Sequence, residues 1–178
     1  NEQYTHITLW SLLAAPLLIG CDLSQLDAFT LNLLTNDEVI AVNQDPCGKQ
    51  AALVHQGSGY QVWAKELENG SVAIGLFNLT GKNLYIPFEM NDLQLDGIWV
   101  LRDLWRQTEL GTVRGHFEMK APAHGARFIT LTRKLKEAIT AYDHALMVDP
   151  RHAKVYYNKG IALADLGRHQ EAIYSYNK

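Results

Sequence analysis

The sequence lacks the features that mark membrane, nucleic-acid-binding and disulfide-rich proteins. Of its 178 residues 47% are hydrophobic, yet no apolar stretch approaches the roughly 18 residues that a membrane-spanning helix needs. The formal net charge is -3 and the pI is near 6.2, which gives no excess of basic residues for a nucleic acid. Only two cysteines are present, Cys21 and Cys47, and we expect two free, buried thiols. We therefore expect neither a membrane nor a nucleic-acid partner.

A short apolar segment, APLLIG at residues 15 to 20, is the first informative feature that is present. A strand covered on both faces is continuously apolar, so this run predicts a buried parallel strand. The preceding residues, Thr5 to Leu13, have the apolar content of a helix that packs on a sheet. Helix, buried strand and helix form the repeating unit of α/β barrels, whose chemistry lies where strands end, here at Cys21 and Asp22. One such unit cannot close a barrel.

Among the acidic residues that follow this strand we consider Asp22, Asp37, Glu38 and Asp45, because paired carboxyl groups are what acid-base chemistry would need. Asp37 and Glu38 follow Asn36 in a pattern typical of a helix start. Asp45 precedes Pro46 in a turn. Asp22 is a candidate for lining a substrate pocket; the alternative is that it holds its loop by accepting backbone hydrogen bonds. We predict structural roles for the other three.

Residues 60 to 131 change to the pattern of short antiparallel strands, which predicts a small sandwich. Asn69-Gly70 separates two apolar runs and predicts a hairpin with a type I′ turn. The aromatic residues on these strands suggest either sugar stacking or, as we expect, core and cross-strand packing: Tyr60, Trp63, Trp99 and Trp105. The predicted strands are Tyr60 to Leu67, Ser71 to Asn78, Leu84 to Phe88, Ile98 to Leu104, Thr112 to Lys120 and Ala126 to Leu131.

Four stretches, in order along the chain, carry a resemblance to a known family: THITLW from Thr5, AAPLLIGCDL from Ala14, NDEVIAVNQDP from Asn36 and RDLW from Arg102. They resemble the melibiase-type α-galactosidases, glycoside hydrolase family 27. The resemblance implies that residues 15 to 20 are the eighth strand of a barrel and that an antiparallel β-domain follows. It also implies an α-galactoside substrate, no cofactor and two catalytic aspartates on earlier barrel strands, so no residue here is predicted to be catalytic.

The C-terminal part has a different periodicity. Glu-Ala-Ile at 137 to 139 recurs at 171 to 173, and Tyr142 recurs as Tyr176, which is the 34-residue period that resembles the tetratricopeptide repeat. We predict three helices, at 133 to 148, 152 to 165 and 168 to 177, with a turn at Gly167 and with Ile173 in the packed interior. His144, His152 and His169 lack metal-ligand spacing, so no metal is expected. The residues that match the repeat consensus are Ala138, Tyr142, Ala145, Pro150, Gly160, Ala172 and Tyr176.

These patterns predict a mixed α+β chain in three segments. Residues 1 to 50 are read as a remnant of the last βα unit of a TIM barrel, 51 to 132 as an antiparallel β-sandwich and 133 to 178 as partial tetratricopeptide helices. Three functions stay open: an α-galactosidase fragment that is inactive alone, a repeat module that binds a protein partner, and a carbohydrate-binding β-domain. The family resemblance favours a secreted or lysosomal compartment and the repeats an intracellular one, so the compartment stays undecided.

Overall fold

The computed structural model describes all 178 residues except the side chains of residues 136 and 137. The chain divides into two compact units, Asn1–Thr132 and Arg133–Lys178. Among the residues that the structure describes, the first unit contains three α-helices and eight strands, and the second contains three α-helices. The Glu-Ala-Ile sequence predicted to repeat at 137 to 139 and 171 to 173 lies partly outside the described side chains, because that of residue 137 is not described.

The first unit opens with helices and continues with strands. The helices are α1 Glu2–Leu12, α2 Ala28–Leu34 and α3 Asp37–Asn43, with short 3₁₀ turns at Leu23–Gln25 and Met90–Leu93. The strands are β1 Ala52–Gly57, β2 Tyr60–Glu66, β3 Val72–Asn78, β4 Leu84–Glu89, β5 Trp99–Asp103, β6 Thr108–Val113, β7 His116–Ala121 and β8 Ala126–Arg133.

Two sheets form the predicted sandwich. Six strands pair in the order β1-β2-β3-β8-β5-β6, and β4 pairs with β7 in a second sheet. Both outer strands of the large sheet carry an extra residue relative to their neighbours. In β1 it is Val54, between the pairs Leu53 with Trp63 and His55 with Val62. In β6 it is Leu110, because Leu101 pairs with Gly111 whereas Arg102 pairs with Glu109. Such bulges bend the strand that carries them.

The large sheet is covered on both faces, and strand β3 shows how. Ile74 and Leu76 on one face join a core shared with Ile86 and Phe88 of the small sheet. On the other face Phe77 joins a second core. This core includes Leu12, Val39 and Val42 from the helical layer, which consists of α1, α2 and α3. All seven residues of β3 are buried, which explains why all of them except the terminal Asn78 are apolar.

Gly75 lets the helical layer approach β3 closely. A Cβ atom at this position would come within 3 Å of the Leu12 side chain and the Phe77 ring. Helix α1 therefore packs where the sheet offers no side chain, and a strand interior normally disfavours glycine unless another element comes this close.

The strand predicted at residues 15 to 20 does not form. These residues have no regular secondary structure, and Leu18 is 88% exposed. A strand needs neighbours to satisfy its backbone N–H and C=O groups, and none of the described strands lies beside this segment. The segment is tied mainly at its start, where Asn43 Nδ2 donates to the Ala15 carbonyl oxygen at 2.8 Å.

The hairpin predicted at Asn69-Gly70 is confirmed, because β2 and β3 pair from Tyr60 with Asn78 to Glu66 with Val72. Its turn differs from the predicted type I′. Only Gly70 has a positive φ, of 76°, and its amide donates to the Leu67 carbonyl oxygen at 2.9 Å. The turn is therefore a three-residue loop with glycine in the left-handed position, in which the asparagine avoids that strained conformation.

The strand predictions differ from the structure at two further places. Strand β1 was not predicted. The single strand predicted over residues 112 to 120 is two strands that meet near Gly115, whose φ is +79°. A residue in this left-handed region interrupts an extended strand, and glycine adopts it without steric cost. The other predicted strands lie within a few residues of those observed.

The second unit contains α4 Leu135–Val148, α5 Ala153–Asp165 and α6 His169–Tyr176, so the three predicted helices are confirmed. Gly160 and Ala172 are buried, and an added Cβ at Gly160 would overlap the ring of Tyr176. Tyr142 is half-buried, whereas Ala145 and Pro150 are exposed. Ile173 was predicted inside but is 54% exposed, because its side chain lies on a face of α6 that the described residues leave uncovered.

The predicted turn between α5 and α6 is a Schellman motif. Gly167 has a φ of +71°. Its amide donates to the Ala164 carbonyl oxygen at 2.9 Å, and the Arg168 amide donates to the Leu163 carbonyl oxygen at 2.9 Å. Both bonds satisfy carbonyl groups that a helix end leaves unpaired.

Candidate functional site

The helical layer of the first unit contains the acidic residues that could carry chemistry, and each is engaged in a local structural contact. Asn36 Oδ1 caps α3 by accepting from the Val39 amide at 3.0 Å, and Asp37 and Glu38 lie in the first turn. Carboxylates there complement the helix dipole. Asp45 accepts from the Cys47 amide at 3.2 Å and from the Glu68 amide at 3.0 Å.

Asp22, the predicted pocket candidate, lies exposed at the start of the 3₁₀ turn. Its Oδ1 accepts from the Ser24 amide at 2.9 Å and from the Ser24 hydroxyl at 2.7 Å. These hydrogen bonds, the side-chain one first, lower the pKa of the Asp22 carboxyl. The carboxylate stays ionised and holds its loop, as the structural alternative expects.

An ion pair joins α3 to the large sheet. Arg102 on β5 donates from Nε to Glu38 Oε2 at 2.8 Å and from Nη2 to Glu38 Oε1. This bidentate geometry fixes the relative orientation of two planar groups. The hydrogen bond to Glu38 raises the pKa of Arg102 above its ordinary value, so the guanidinium stays charged.

Lys65 is a buried cation that the sequence did not predict. Its Nζ donates to the Val42 carbonyl oxygen at 2.7 Å and to the Ser11 carbonyl oxygen at 3.1 Å. Both acceptors lie at the C-terminal ends of helices, α3 and α1, where the partial charge is negative. Burial lowers the pKa of Lys65, and Asp45 opposes that shift. One side chain thus clamps two helix ends to the sheet.

A second charged cluster surrounds Asp103, which is buried at the end of β5. Arg106 Nη1 donates to Asp103 Oδ2 at 2.6 Å, and Arg127 Nη1 lies 3.8 Å from the same oxygen. Burial is the main cause that lowers the pKa of Arg127, and the neighbouring Arg106 adds to it. Sequence spacing could have suggested the Asp103 to Arg106 pair, but Arg127 comes from a separate strand.

Two open clefts lie beside this cluster and share Tyr4 and Trp105. One, of about 170 Å³, is also lined by Asp103, Arg106 and Arg127. The other, of about 410 Å³, is lined on its polar side by Asn32, Thr35, Asn36, Asp37 and Gln107. The Trp105 indole nitrogen donates to the Thr8 hydroxyl at 2.8 Å. These clefts contain aromatic and amide groups, but the acids on their walls are already in hydrogen bonds.

The four aromatic residues considered for sugar stacking are mostly packed. Trp99 is 6% exposed and belongs to the core between the sheets. Trp63 and Trp105 pack against the second core. Tyr60 packs against the first core, with its ring 5.8 Å from that of His55. The packing prediction therefore holds for these residues, and Trp105 is the one that also lines a cleft.

The remaining candidate ligands are dispersed. Among the side chains that the structure describes, no group of three His, Cys, Asp or Glu residues could hold a metal ion. Cys21 and Cys47 are free, but both are exposed, which corrects the expectation of buried thiols. Cys21 is exposed because the strand expected before it is absent. None of the described helices has the length and apolarity needed to span a membrane.

Comparison with known proteins relates this arrangement to a family. The model of the α-galactosidase C-terminal β-sandwich domain matches residues 57 to 131, and the model called α-galactosidase A matches residues 1 to 45. A probable α-galactosidase of Dictyostelium discoideum is 44% identical over 143 residues, which cover 74% of this chain and 36% of that protein. Residues 1 to 45 and 57 to 131 therefore match the α-galactosidase family. The recognition from the four sequence stretches is confirmed.

Solved structures agree with this α-galactosidase segment. α-Galactosidase I from Mortierella vinacea superimposes with a TM-score of 0.71 at 28% identity, over 74% of this chain and 36% of that one. A β-L-arabinopyranosidase of glycoside hydrolase family 27 from Geobacillus stearothermophilus gives a TM-score of 0.71 at 31% identity, over 75% of this chain and 30% of that one. The chain thus spans about a third of the length of these three relatives.

The C-terminal unit matches a different family. The tetratricopeptide repeat model covers residues 153 to 178, which contain α5 and α6. The chain therefore joins an α-galactosidase C-terminal segment to a tetratricopeptide segment. The fold class predicted from the sequence, with mixed helices and strands, an antiparallel β-sandwich and C-terminal repeat helices, is confirmed.

Proposed function

We propose that residues 1 to 132 form the C-terminal part of a retaining α-galactosidase and that the 178 residues alone do not hydrolyse α-galactosides. Retaining cleavage needs two carboxyl groups about 5 to 5.5 Å apart, one as nucleophile and one as acid and base. In this proposal residues 1 to 50 are the last part of the barrel, residues 51 to 132 support it, and residues 133 to 178 are an appended segment.

One observation carries the proposal: the acids of the helical layer are committed to structural contacts. Asp37 accepts from the amide of Glu38 and from the side chain of Gln107, and Glu38 is paired with Arg102. Asp22 and Asp45 hold turns. A catalytic general acid needs a raised pKa, whereas the hydrogen bonds from Ser24 lower the pKa of Asp22.

A hydrolysis assay tests the proposed inactivity. The purified chain is incubated with p-nitrophenyl α-galactoside, and released nitrophenol is followed against a buffer blank and a complete α-galactosidase. We expect no release above the blank. Turnover that survives further purification would contradict the proposal, and an Asp22→Asn variant would then show whether this acid takes part.

The substrate of the complete protein is tested by complementation. The matching barrel portion of the Dictyostelium relative is produced together with this chain, and α-galactosidase and β-arabinopyranosidase substrates are compared, since matched structures carry both names. We expect activity toward the α-galactoside. In such a complex Asp22→Asn should lower kcat/KM if Asp22 lines the sugar pocket, while Asp27→Asn, which alters another exposed capping acid of the same region, should not.

The repeat helices support a second candidate, a protein partner. Tyr157 and Tyr174 are both more than half exposed, and aromatic residues are enriched at protein interfaces. About three repeats are usually needed for a stable array, so a 34-residue period continuing in the coding sequence after Lys178 would support this candidate. Carbohydrate binding by the β-domain alone has weaker support, because Trp99 is buried; galactose affinity that Trp105→Ala abolishes would favour it.

A further inference from the structure

The hairpin of β2 and β3 contains two asparagines in Asn-x-Ser/Thr triplets, Asn69-Gly70-Ser71 and Asn78-Leu79-Thr80. This triplet is the acceptor sequence for N-linked glycans, which are bulky and lie on the surface. The proposed hydrolase function uses neither residue. The two sites differ sharply in their surroundings.

Asn78 is a structural amide. It is 2% exposed, and its Nδ2 donates to the carbonyl oxygens of Lys82 at 2.7 Å, Ala121 at 3.2 Å and Pro122 at 2.9 Å. Its Oδ1 accepts from the Thr80 amide at 2.9 Å and the Thr80 hydroxyl at 2.8 Å. A sugar on Nδ2 would replace a hydrogen of this buried network, and breaking buried hydrogen bonds is costly.

Asn69 has an open environment at the end of the hairpin. Its residue is exposed, and an added Cβ at the neighbouring Gly70 would have nothing within 4 Å. Only its Oδ1 is engaged, by the Ser71 amide at 2.9 Å and the Ser71 hydroxyl at 2.5 Å. The described residues offer no hydrogen-bond partner to its Nδ2. A substituent on this nitrogen would therefore project into solvent without disturbing the turn.

We propose that Asn69 is an acceptor for an N-linked oligosaccharide and that Asn78 carries no glycan in the folded chain, because its side-chain amide stabilises the fold. In the reaction the Asn69 amide nitrogen bonds to C1 of a lipid-linked oligosaccharide. The bond from C1 to the lipid pyrophosphate breaks, and the nitrogen loses one proton, so no oxidant or reductant is needed. The proposal depends on the folded hairpin and not on hydrolase activity.

Cell-free translation with endoplasmic-reticulum microsomes tests it on the full chain with an added secretion signal. Thr80→Val leaves only the Asn69 triplet, and Asn69→Gln leaves only the Asn78 triplet. A mobility shift that a glycan-removing amidase reverses reports attachment, and protease resistance after detergent release reports folding. Each variant translated without microsomes is the unglycosylated reference.

For Thr80→Val we expect a shift and undiminished protease resistance. For Asn69→Gln we expect either no shift or a shifted chain that has lost resistance. The proposal is overturned by an unshifted Thr80→Val, by a shifted Thr80→Val that is more protease-sensitive than its own unglycosylated reference, or by a resistant chain with a glycan on Asn78.

Mapping in the unsubstituted chain removes any dependence on how Thr80→Val folds. Amidase treatment in heavy-oxygen water converts a glycan-bearing asparagine to a labelled aspartate, which mass spectrometry locates in the protease-resistant fraction. We expect the label at position 69 alone. Label at 78, or none at 69, contradicts the proposal.

Discussion

Strand β3 and residues 15 to 20 are similar in sequence and opposite in structure. Both are short and almost wholly apolar, VAIGLFN and APLLIG. The first lies between β2 and β8 with every residue buried, whereas the second has no regular secondary structure and leaves Leu18 and Ile19 mostly exposed. An apolar run thus indicates that a segment is suited to burial, but neighbouring strands decide whether it becomes a strand.

The largest predicted effect comes from truncating one leucine in each segment. Leu76→Ala in β3, where the side chain is fully buried, should reduce the free energy of unfolding by about 2 to 5 kcal/mol. Leu18→Ala should change it by no more than about 0.5 kcal/mol, as for most surface substitutions. Urea titration followed by tryptophan fluorescence measures both, because Trp10, Trp63, Trp99 and Trp105 all precede residue 133. Comparable losses in the two variants would show that the 15 to 20 segment is buried in solution.

Lys65 offers a second test of this contrast, because it hydrogen-bonds the helices on either side of residues 15 to 20. Lys65→Met removes the donor shared by the Ser11 and Val42 carbonyl oxygens, and we expect a loss of about 1 to 3 kcal/mol. Hydrogen exchange should speed up in α1 and α3. Lys49→Met is the matched control, since that exposed lysine pairs with Glu66 on the surface and such pairs contribute little. Equal losses in the two variants would argue against the clamp.

The same lysine predicts a pH dependence. Burial lowers the pKa of Lys65 in the folded chain below its ordinary value of about 10.4. Between these two values the unfolded chain binds more protons, so stability should rise with pH across that window. The difference in unfolding free energy between the unsubstituted chain and Lys65→Met should grow as the pH approaches about 10.4 and then level off. Urea titrations at several alkaline pH values measure it; a flat or falling difference would oppose the assignment.

The smallest predicted effect concerns the tether of the exposed segment. Asn43→Ala removes the hydrogen bonds to the carbonyl oxygens of Ala15 at 2.8 Å and Trp10 at 3.3 Å, and we expect a loss of about 0.5 to 1.5 kcal/mol. Exchange at residues 17 to 19 should stay fast, since they are already unpaired. The exposed Asn32 provides a control, Asn32→Ala, which should change stability by less than about 0.5 kcal/mol. A larger loss for Asn32→Ala would mean that the cleft it lines has a structural role.

Local signals in the sequence predicted most elements of the fold. Asn69-Gly70 located the hairpin, and the 34-residue period located α4 to α6. The turn type was missed because only Gly70 takes the left-handed conformation, and β1 was missed because its bulge at Val54 interrupts the period of two. Each error arises from the conformation of a single residue, and the presence of the antiparallel sheet was predicted.

The site was less predictable, because its contacts join distant parts of the chain. Lys65 on a strand would normally be assigned to solvent, and its acceptors lie 54 and 23 residues away. Arg127 approaches Asp103 only after β8 and β5 become neighbours. By contrast the caps at Asn36 and Asp22 could be predicted, since such hydrogen bonds stay within three residues.

The extra residues Val54 and Leu110 have a consequence for self-assembly. An outermost strand with regularly spaced amide and carbonyl groups is a template on which a strand from another molecule can add. The bulges shift that spacing at both margins of the six-stranded sheet. The six-stranded sheet therefore presents an irregular ladder at both margins, and addition of a strand from another molecule there is disfavoured.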